Sequence, residues 1–367
     1  MPEGARPAVL LLSSNVRRRY AEDILTALAL PDGALIQFRY DAEYVASPLQ
    51  QRIADHSILG ETCLIGFVSD VSSNDISAGD PPSPFFLPVR LANIVSADPV
   101  GDFFVLQLRV REYPNLRDWP LKEKDSTELF SDGGKFLNRL SEMNGDKHVP
   151  ATTRFPDPRV SDDGDQAQLW LGVVRRLACH PTFAKSYFLR VEPPRFRKAR
   201  EPVFDSTGTL SLTDRQSARL RATLYSREYS DEKRVVLSCT TDGRFLRISS
   251  DDTYDVALRY DIVEFWLQPN AANFDALARV TLTLANANYT GTSDNSLTAR
   301  VQIPVKIRRS RSTLLLRVIT SAVGAFLVAL PAILGPSFPI KLRVLSAVLG
   351  AMLIAIAAIV IPRSAGQ

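Results

Sequence analysis

Hydrophobic and polar positions repeat in three different ways along the 367 residues, and the changes of period divide the chain into segments. Near the start, "AVLLLS" is a short unbroken apolar run, the pattern of a buried strand. "NVRRRYAEDILTALAL" follows, with Tyr20, Ile24 and Leu28 four apart on one helical face, Asn15 available as a cap and "PDG" as a stop. "ALIQFRY" and "TCLIGFV" read as further strands, and "SPLQQRIADH" between them as a short helix with Pro48 in its first turn. Two more strands are expected in "FFLPVRLANIV" and "DFFVLQLRV", joined by a turn in "SADPVG", and a helix in "GKFLNRLSEM". This mixture predicts an α+β domain over 1–145.

Residues 146–168 are rich in Pro, Gly and Asp without apolar periodicity, which reads as a linker or long loop. "LWLGVVRRLACH" then has a helical pattern ending before Pro181, and "YFLRVEPP" reads as a strand. From Leu210 to Ile307 strand signals recur at short intervals. Asp242-Gly243 predicts a tight turn between "VVLSC" and "RFLRIS". "YDVALRYDIVEFWL" alternates through Val256, Leu258, Tyr260 and Ile262 and then switches phase to Val263, Phe265 and Leu267, which predicts a bulge. The packing expected of such a series is a β-sandwich of immunoglobulin-like type over 169–308, without the disulfide of antibody domains. Its last strand is the clearest: Leu297, Ala299, Val301, Ile303, Val305 and Ile307 are apolar at period two. Pro304 lacks a ladder donor and favours an edge position.

The pattern then changes again. Val318–Leu334 and Val344–Ile361 carry no charged residue, and "GPSFPIKLR" between them breaks and turns the chain. Over 313–362 this predicts a C-terminal two-helix transmembrane hairpin, about 313–334 and 344–361, with the first run reaching span length once "TLLLR" is included. Lys306, Arg308, Arg309, Arg311 and Arg363 flank one side and Lys341 and Arg343 the other, an imbalance that places both termini in the cytoplasm of a bacterial inner-membrane protein. Arg317 either snorkels to the inner headgroups or faces a polar path between helices, the former being favoured. Ser346 and Gly350, with Ala347, Ala351 and Ala355 beside them, recur every four residues, as do Ser321, Ala325 and Ala329 in the first helix. Small residues at that spacing bring helix backbones close, either within the hairpin or between copies in a homo-oligomer. The lipid bilayer is the implied partner.

The formal charge of +4 and pI near 9.0 invite a nucleic-acid reading, but the distribution removes it. Nine Lys or Arg and no Asp or Glu lie from Arg300 onward, leaving 35 basic against 40 acidic residues, a net of −5, for everything before. A mildly acidic body is a poor polyanion surface, so no nucleic-acid partner is expected. Three cysteines, Cys63, Cys179 and Cys239, cannot form a disulfide framework and suit a reducing compartment. The N-terminus has no signal-peptide core.

No phosphate loop, dinucleotide fingerprint, paired-cysteine zinc site, HExxH or GxSxG motif occurs, and only His56, His148 and His180 are present. Cys179-His180 reads as an ordinary helix end. Asp162, Asp163 and Asp165, like Asp251, Asp252 and Asp255, read as solvated turns rather than cation ligands. The sequon at Asn288 has no role in a cytoplasmic domain. No cofactor, no metal and no enzymatic activity are expected. The short connection between the last strand and the helices instead points to a binding protein whose hairpin is an effector that perturbs or perforates a membrane once a ligand or protein trigger is bound. That general layout is similar to ligand-triggered membrane-disrupting proteins of bacterial antiviral defence. The alternatives are a passive anchor for a scaffolding or binding domain, and an enzyme with an unfamiliar site.

Overall fold

The computed structural model describes residues 7–15, 17–45, 47–69, 85–116, 151–154, 165–180, 182–196, 204–214, 216–227, 235–242, 244–270, 275–286, 297–308, 311–334 and 339–359. Among them are three sheets and five α-helices. Strands β1 (Pro7–Ser14), β2 (Leu35–Asp41), β3 (Thr62–Ser69), β4 (Phe85–Val100), β5 (Phe103–Val110) and β6 (Ala151–Arg154) form one sheet in the order β2-β5-β4-β3-β1-β6. Only β1 and β3 are parallel neighbours, the chain between them passing through α1 (Arg18–Ala29), β2 and α2 (Ser47–Ala54). The edge strand β6 falls within the stretch expected as a linker. The turn from β4 to β5 is tighter than "SADPVG" implied. Pairing runs out to Val100 and Phe103, and Gly101 takes the positive φ (59°) that a two-residue hairpin loop requires.

Helix α1 starts at Arg18 rather than after Asn15, and no side chain caps it. The Asn15 amide instead donates to Thr182 Oγ1 at 3.4 Å, so a distant segment took the group that local sequence offered as a cap. Ala21, Ile24, Leu25, Ala27 and Leu28 of α1 are all buried, because the helix has neighbours on two sides: the first sheet, and strands of the second region. The helix expected in "GKFLNRLSEM" lies outside the described residues, as do Asp162, Asp163, His148 and the sequon at Asn288.

The second region begins with α3 (Gln166–Leu177), whose first turn Asp165 caps by accepting Ala167 N–H at 3.0 Å. Two five-stranded sheets follow. One joins β7 (Tyr187–Val191), β8 (Arg195–Phe196), β10 (Ala218–Ser226), β12 (Leu246–Ile248) and β14 (Tyr260–Pro269). The other is built from β9 (Leu210–Thr213), β11 (Val235–Thr241), β13 (Thr253–Val256), β15 (Ala276–Asn286) and β16 (Ala299–Arg308), in the order β13-β11-β15-β16-β9. Their inward rows, such as Leu220, Ala222 and Leu224 of β10 and Val301, Ile303 and Val305 of β16, belong to one hydrophobic core.

Two local expectations change here for the same reason. The Asp242 turn does not close a hairpin, because β11 and β12 belong to different sheets and the chain crosses from one to the other. The phase switch in "YDVALRYDIVEFWL" is likewise a sheet change and not a bulge. Strand β13 ends at Val256 in one sheet and β14 starts at Tyr260 in the other, so Tyr260 and Ile262 are exposed while Val263, Phe265 and Leu267 are buried. A sandwich is closed by such crossings, and local alternation does not distinguish a crossing from a bulge.

The C-terminal helices α4 (Arg311–Leu334) and α5 (Ile340–Ile359) pack on each other. They correct the sequence reading of this segment: among the described residues no helix is long and apolar enough to cross a membrane. The uncharged part of α4 begins after Arg317, and α5 carries Lys341 and Arg343 in its first turn. Within the described residues, the uncharged stretches Val318–Leu334 and Val344–Ile359 each rise about 25 Å at 1.5 Å per residue, below the roughly 30 Å of a hydrocarbon core. The transmembrane hairpin, its two-span inner-membrane location and the orientation drawn from its flanking charges are therefore not supported. What remains is a mostly β protein with an apolar helical hairpin at its C-terminal end.

Candidate functional site

The feature that joins all parts of the described chain is β16. Its inward positions, Ala299 through Ile307, are each no more than 1 % exposed, while its other face is polar. It pairs along its length with β15, and from Val305 to Arg308 also with β9, in parallel. Pro304 lies one residue before that second ladder begins, so among the described residues no strand pairs with β16 on that side at Pro304, which accommodates the missing proline N–H. At this end the strand is clamped again: Asp214 N–H donates to the Arg308 carbonyl at 2.9 Å, and Lys306 Nζ lies 3.3 Å from the Asp275 carboxylate.

At its other end β16 meets α1. The Glu22 carboxylate accepts the Thr298 backbone N–H at 3.1 Å and is paired with Arg18 Nε at 2.8 Å, and the Arg18 guanidinium also reaches Thr298 Oγ1 at 3.5 Å. Helix α1 in turn lies on the first sheet, and its first turn follows the C-terminal ends of the parallel pair β1 and β3. Ser13 Oγ there donates to the Tyr20 carbonyl at 2.8 Å. A continuous chain of contacts therefore runs from this sheet end through α1 to β16, with only residues 309–310 between β16 and α4.

The hairpin has its own contact geometry. A Cβ added to Gly350 would lie 2.6 Å from the Gly324 carbonyl oxygen and 2.9 Å from the Val328 nitrogen, and one added to Gly324 would lie 2.9 Å from the Gly350 oxygen. The two backbones touch at this glycine pair, where any side chain would force them apart. Of the small residues singled out from the sequence, Gly350 and Ser346 are buried and Ser321 and Ala347 half-buried, whereas Ala325, Ala329, Ala351 and Ala355 are exposed. Gly324 was not among them, although its spacing of seven from Pro331 and of three from Ser321 gave it the same face. Among the basic residues named with them, Lys306 and Arg308 occupy β16 as described, Arg309 lies outside the described residues, and Arg311 and Arg317 fall in the first two turns of α4.

Two clusters where the body's parts meet are unusual in chemistry. Phe67 of β3 packs edge-on against His180 and Phe183, with ring centroids 5.1 and 4.9 Å away, and Phe183 continues to Phe188 of β7. His180 is 4 % exposed, its Nδ1 accepts Thr182 N–H at 3.2 Å, and burial lowers its pKa to about 4, so the ring is neutral. Its neighbour Cys179 is exposed, its thiol donating to the Arg175 carbonyl at 3.3 Å, and the two side chains diverge. Cys63 and Cys239 are buried, and desolvation pushes both thiols up, that of Cys239 to about 12, which leaves them unreactive.

The second cluster surrounds Arg90, which is 2 % exposed. Its guanidinium lies 3.7 Å over the Tyr113 ring, its Nε donates to the Arg111 carbonyl, and Tyr113 Oη donates to the Leu28 carbonyl of α1 at 2.6 Å. Burial works against its charge, while Tyr113 and Asp32 support it; Asp32 has its own pKa raised by burial against the pull of Arg90. This arrangement ties β4 and the strand end after β5 to the C-terminal end of α1, where a cation is favourable.

Among the described residues no group of three or more His, Cys, Asp or Glu is placed to hold a metal ion. Asp251, Asp252 and Asp255 are exposed, and Asp252 offers its backbone carbonyl to Cys239 N–H at 2.7 Å.

No protein-family model matches the chain. No curated protein matches its sequence either. Among solved structures, a fragment of native alpha-2-macroglobulin from Escherichia coli, spanning domain MG7 to the C-terminus, matches with 12 % identity over 34 % of this chain and a TM-score of 0.22. The matched part is 17 % of that fragment, and a likeness of this size carries no argument about fold or function.

Proposed function

We propose that this protein is a ligand- or partner-responsive binding protein in which the first sheet and the sandwich form the sensing body, the hairpin is the output, and β16 is the mechanical link. One observation carries the reading. The strand that leads into the hairpin begins against α1, through Glu22 and Thr298, and is laddered along its length to β15. Packed elements of this kind move as units rather than deforming continuously, so a shift of α1 is passed on to β16. With two residues before α4, little of that shift is lost.

Hydrogen exchange on the full chain tests this. Glu22→Gln removes the charge that holds Thr298 N–H and Arg18, and should raise exchange at the start of β16 and also within α4. Inserting a four-residue Gly-Ser segment at 309–310 should abolish the effect on α4 while leaving that on β16. If α4 exchange does not respond to Glu22→Gln, the hairpin is a passive tether and the link does not exist.

A further inference from the structure

The sandwich has a strand whose outer side is open. Strand β14 is laddered to β10 along its length, but on its other side β12 reaches only Leu267–Pro269. Ser249 and Ser250 close the next position by bonding the Trp266 carbonyl and N–H at 2.9 and 3.2 Å. Among the described residues no strand covers Tyr260 to Glu264 on that side. Ser226 N–H donates to the Arg259 carbonyl at 2.9 Å, so in this antiparallel ladder the odd-numbered positions of β14 exchange bonds with β10. The main-chain groups of Tyr260, Ile262 and Glu264 therefore point away from β10. The same segment presents apolar side chains to water: Leu258, Tyr260 and Ile262 are 55 %, 47 % and 39 % exposed. Unpaired main-chain groups beside an apolar row are a template for another strand.

We propose that this edge pairs antiparallel with the same edge of a second copy of the chain, about a two-fold axis at Ile262. The open main-chain groups require an extended segment, and β14 matches its own reversed order about that residue. In this register Ile262 meets Ile262 of the second copy and Tyr260 meets Glu264, each pair exchanging main-chain bonds. The apolar centre is doubled. The two Glu264 carboxylates, each bridged to Arg219 at 3.2 Å, stay about 13 Å apart, so no like charges are opposed. The contact closes at two copies and joins β7-β10-β14 of one to β14-β10-β7 of the other as one continuous run of strands. In the single copy Asp261 guards the edge: its carboxylate accepts the Ile262 N–H at 2.8 Å and the Tyr254 hydroxyl at 2.8 Å. Pairing exchanges the first of these acceptors for the Ile262 carbonyl of the second copy, which makes association reversible and leaves the Tyr254 bond in place. None of this depends on the link through β16, which lies in the other sheet.

Cysteine cross-linking of the full chain tests the pairing, in a Cys179→Ser background that removes the exposed native thiol. Ile262→Cys places two Cα atoms about 5.5 Å apart across the axis, within disulfide reach, and should give an interchain band on mild oxidation. Tyr260→Cys and Glu264→Cys, each alone, lie about 13 Å from their equivalents in the second copy and should give a band several-fold weaker, whereas mixing the two variants should restore much of it. Hydrogen exchange gives a second measure: the amides of Tyr260, Ile262 and Glu264 should slow as the concentration of the wild type rises, and Ile262→Lys, which opposes two like charges, should remove that slowing. Bands from Tyr260→Cys or Glu264→Cys alone as strong as that from Ile262→Cys overturn the inference, because they mark unspecific association through exposed apolar side chains. An absent Ile262→Cys band, or exchange at these amides that does not change with concentration, overturns it as well.

Discussion

Replacing His180 by glutamine should flatten a specific part of the pH dependence of stability. The ring sits between Phe67 and Phe183 with almost no exposure, and burial depresses its pKa from 6.5 to about 4. The folded state therefore favours neutral imidazole, while the unfolded chain takes up a proton near pH 6.5. Between these values the unfolded state binds more protons, so stability is fully present above about pH 7, declines as the pH falls through 6.5, and levels off below about 4. At pH 5 the penalty is set by the 1.5 units separating that pH from the unfolded value, which makes it roughly 1.5–2 kcal/mol relative to pH 7. Glutamine keeps an acceptor for Thr182 N–H but cannot titrate. Urea unfolding at pH 7 and pH 5 should thus show the wild type losing about 1.5–2 kcal/mol more than His180→Gln over that interval. The comparison has to be a difference between variants, because Asp23 acts in the opposite direction. Burial raises its carboxyl to about 6, so acidification relieves a penalty there. Equal losses in the two proteins, or a His180 pKa near 6.5 by NMR titration, would refute the argument from burial.

Other outcomes follow from single contacts. Asp23→Asn should stabilise the protein at pH 7, with the gain shrinking toward pH 5, as read in the same urea series. Gly350→Leu places a side chain where backbone atoms already lie at 2.6 and 2.9 Å, so α4 and α5 must separate; hydrogen exchange should rise around Gly324 and Val328 with the body unchanged. Gly208→Val should destabilise the fold by more than about 2 kcal/mol in chemical unfolding, since the residue has φ +67° and its Cβ would collide with the Leu35 side chain. Tyr113→Phe removes the hydroxyl that donates to the Leu28 carbonyl while keeping the ring under Arg90, and should cost about 1 kcal/mol, whereas Tyr113→Ala should cost several times that; equal losses would mean that the ring contributes nothing to holding the buried cation.

The chain's own pattern determined its local elements. Period-two alternation placed β16 and β10, period four placed the buried face of α1, and two uncharged runs around a Pro-Gly turn placed the helical hairpin. Those readings depend on each residue's preference for water or core, and that preference is carried by the residue itself. Where several elements compete for one group, the tertiary structure decided. Asn15 was a cap by local rules and became a partner of Thr182. The phase switch before Val263 became a crossing between sheets, because two sheets needed strands from one stretch of chain. The apparent small-residue stripe split into an inner set around Gly350 and an outer set around Ala351, since a helix meets its neighbour along one line and leaves the other face to whatever covers it. Above all, the contact of Glu22 with Thr298 joins residues 276 positions apart, and no local pattern encodes a pairing that arises only when a helix and a strand are packed into one core.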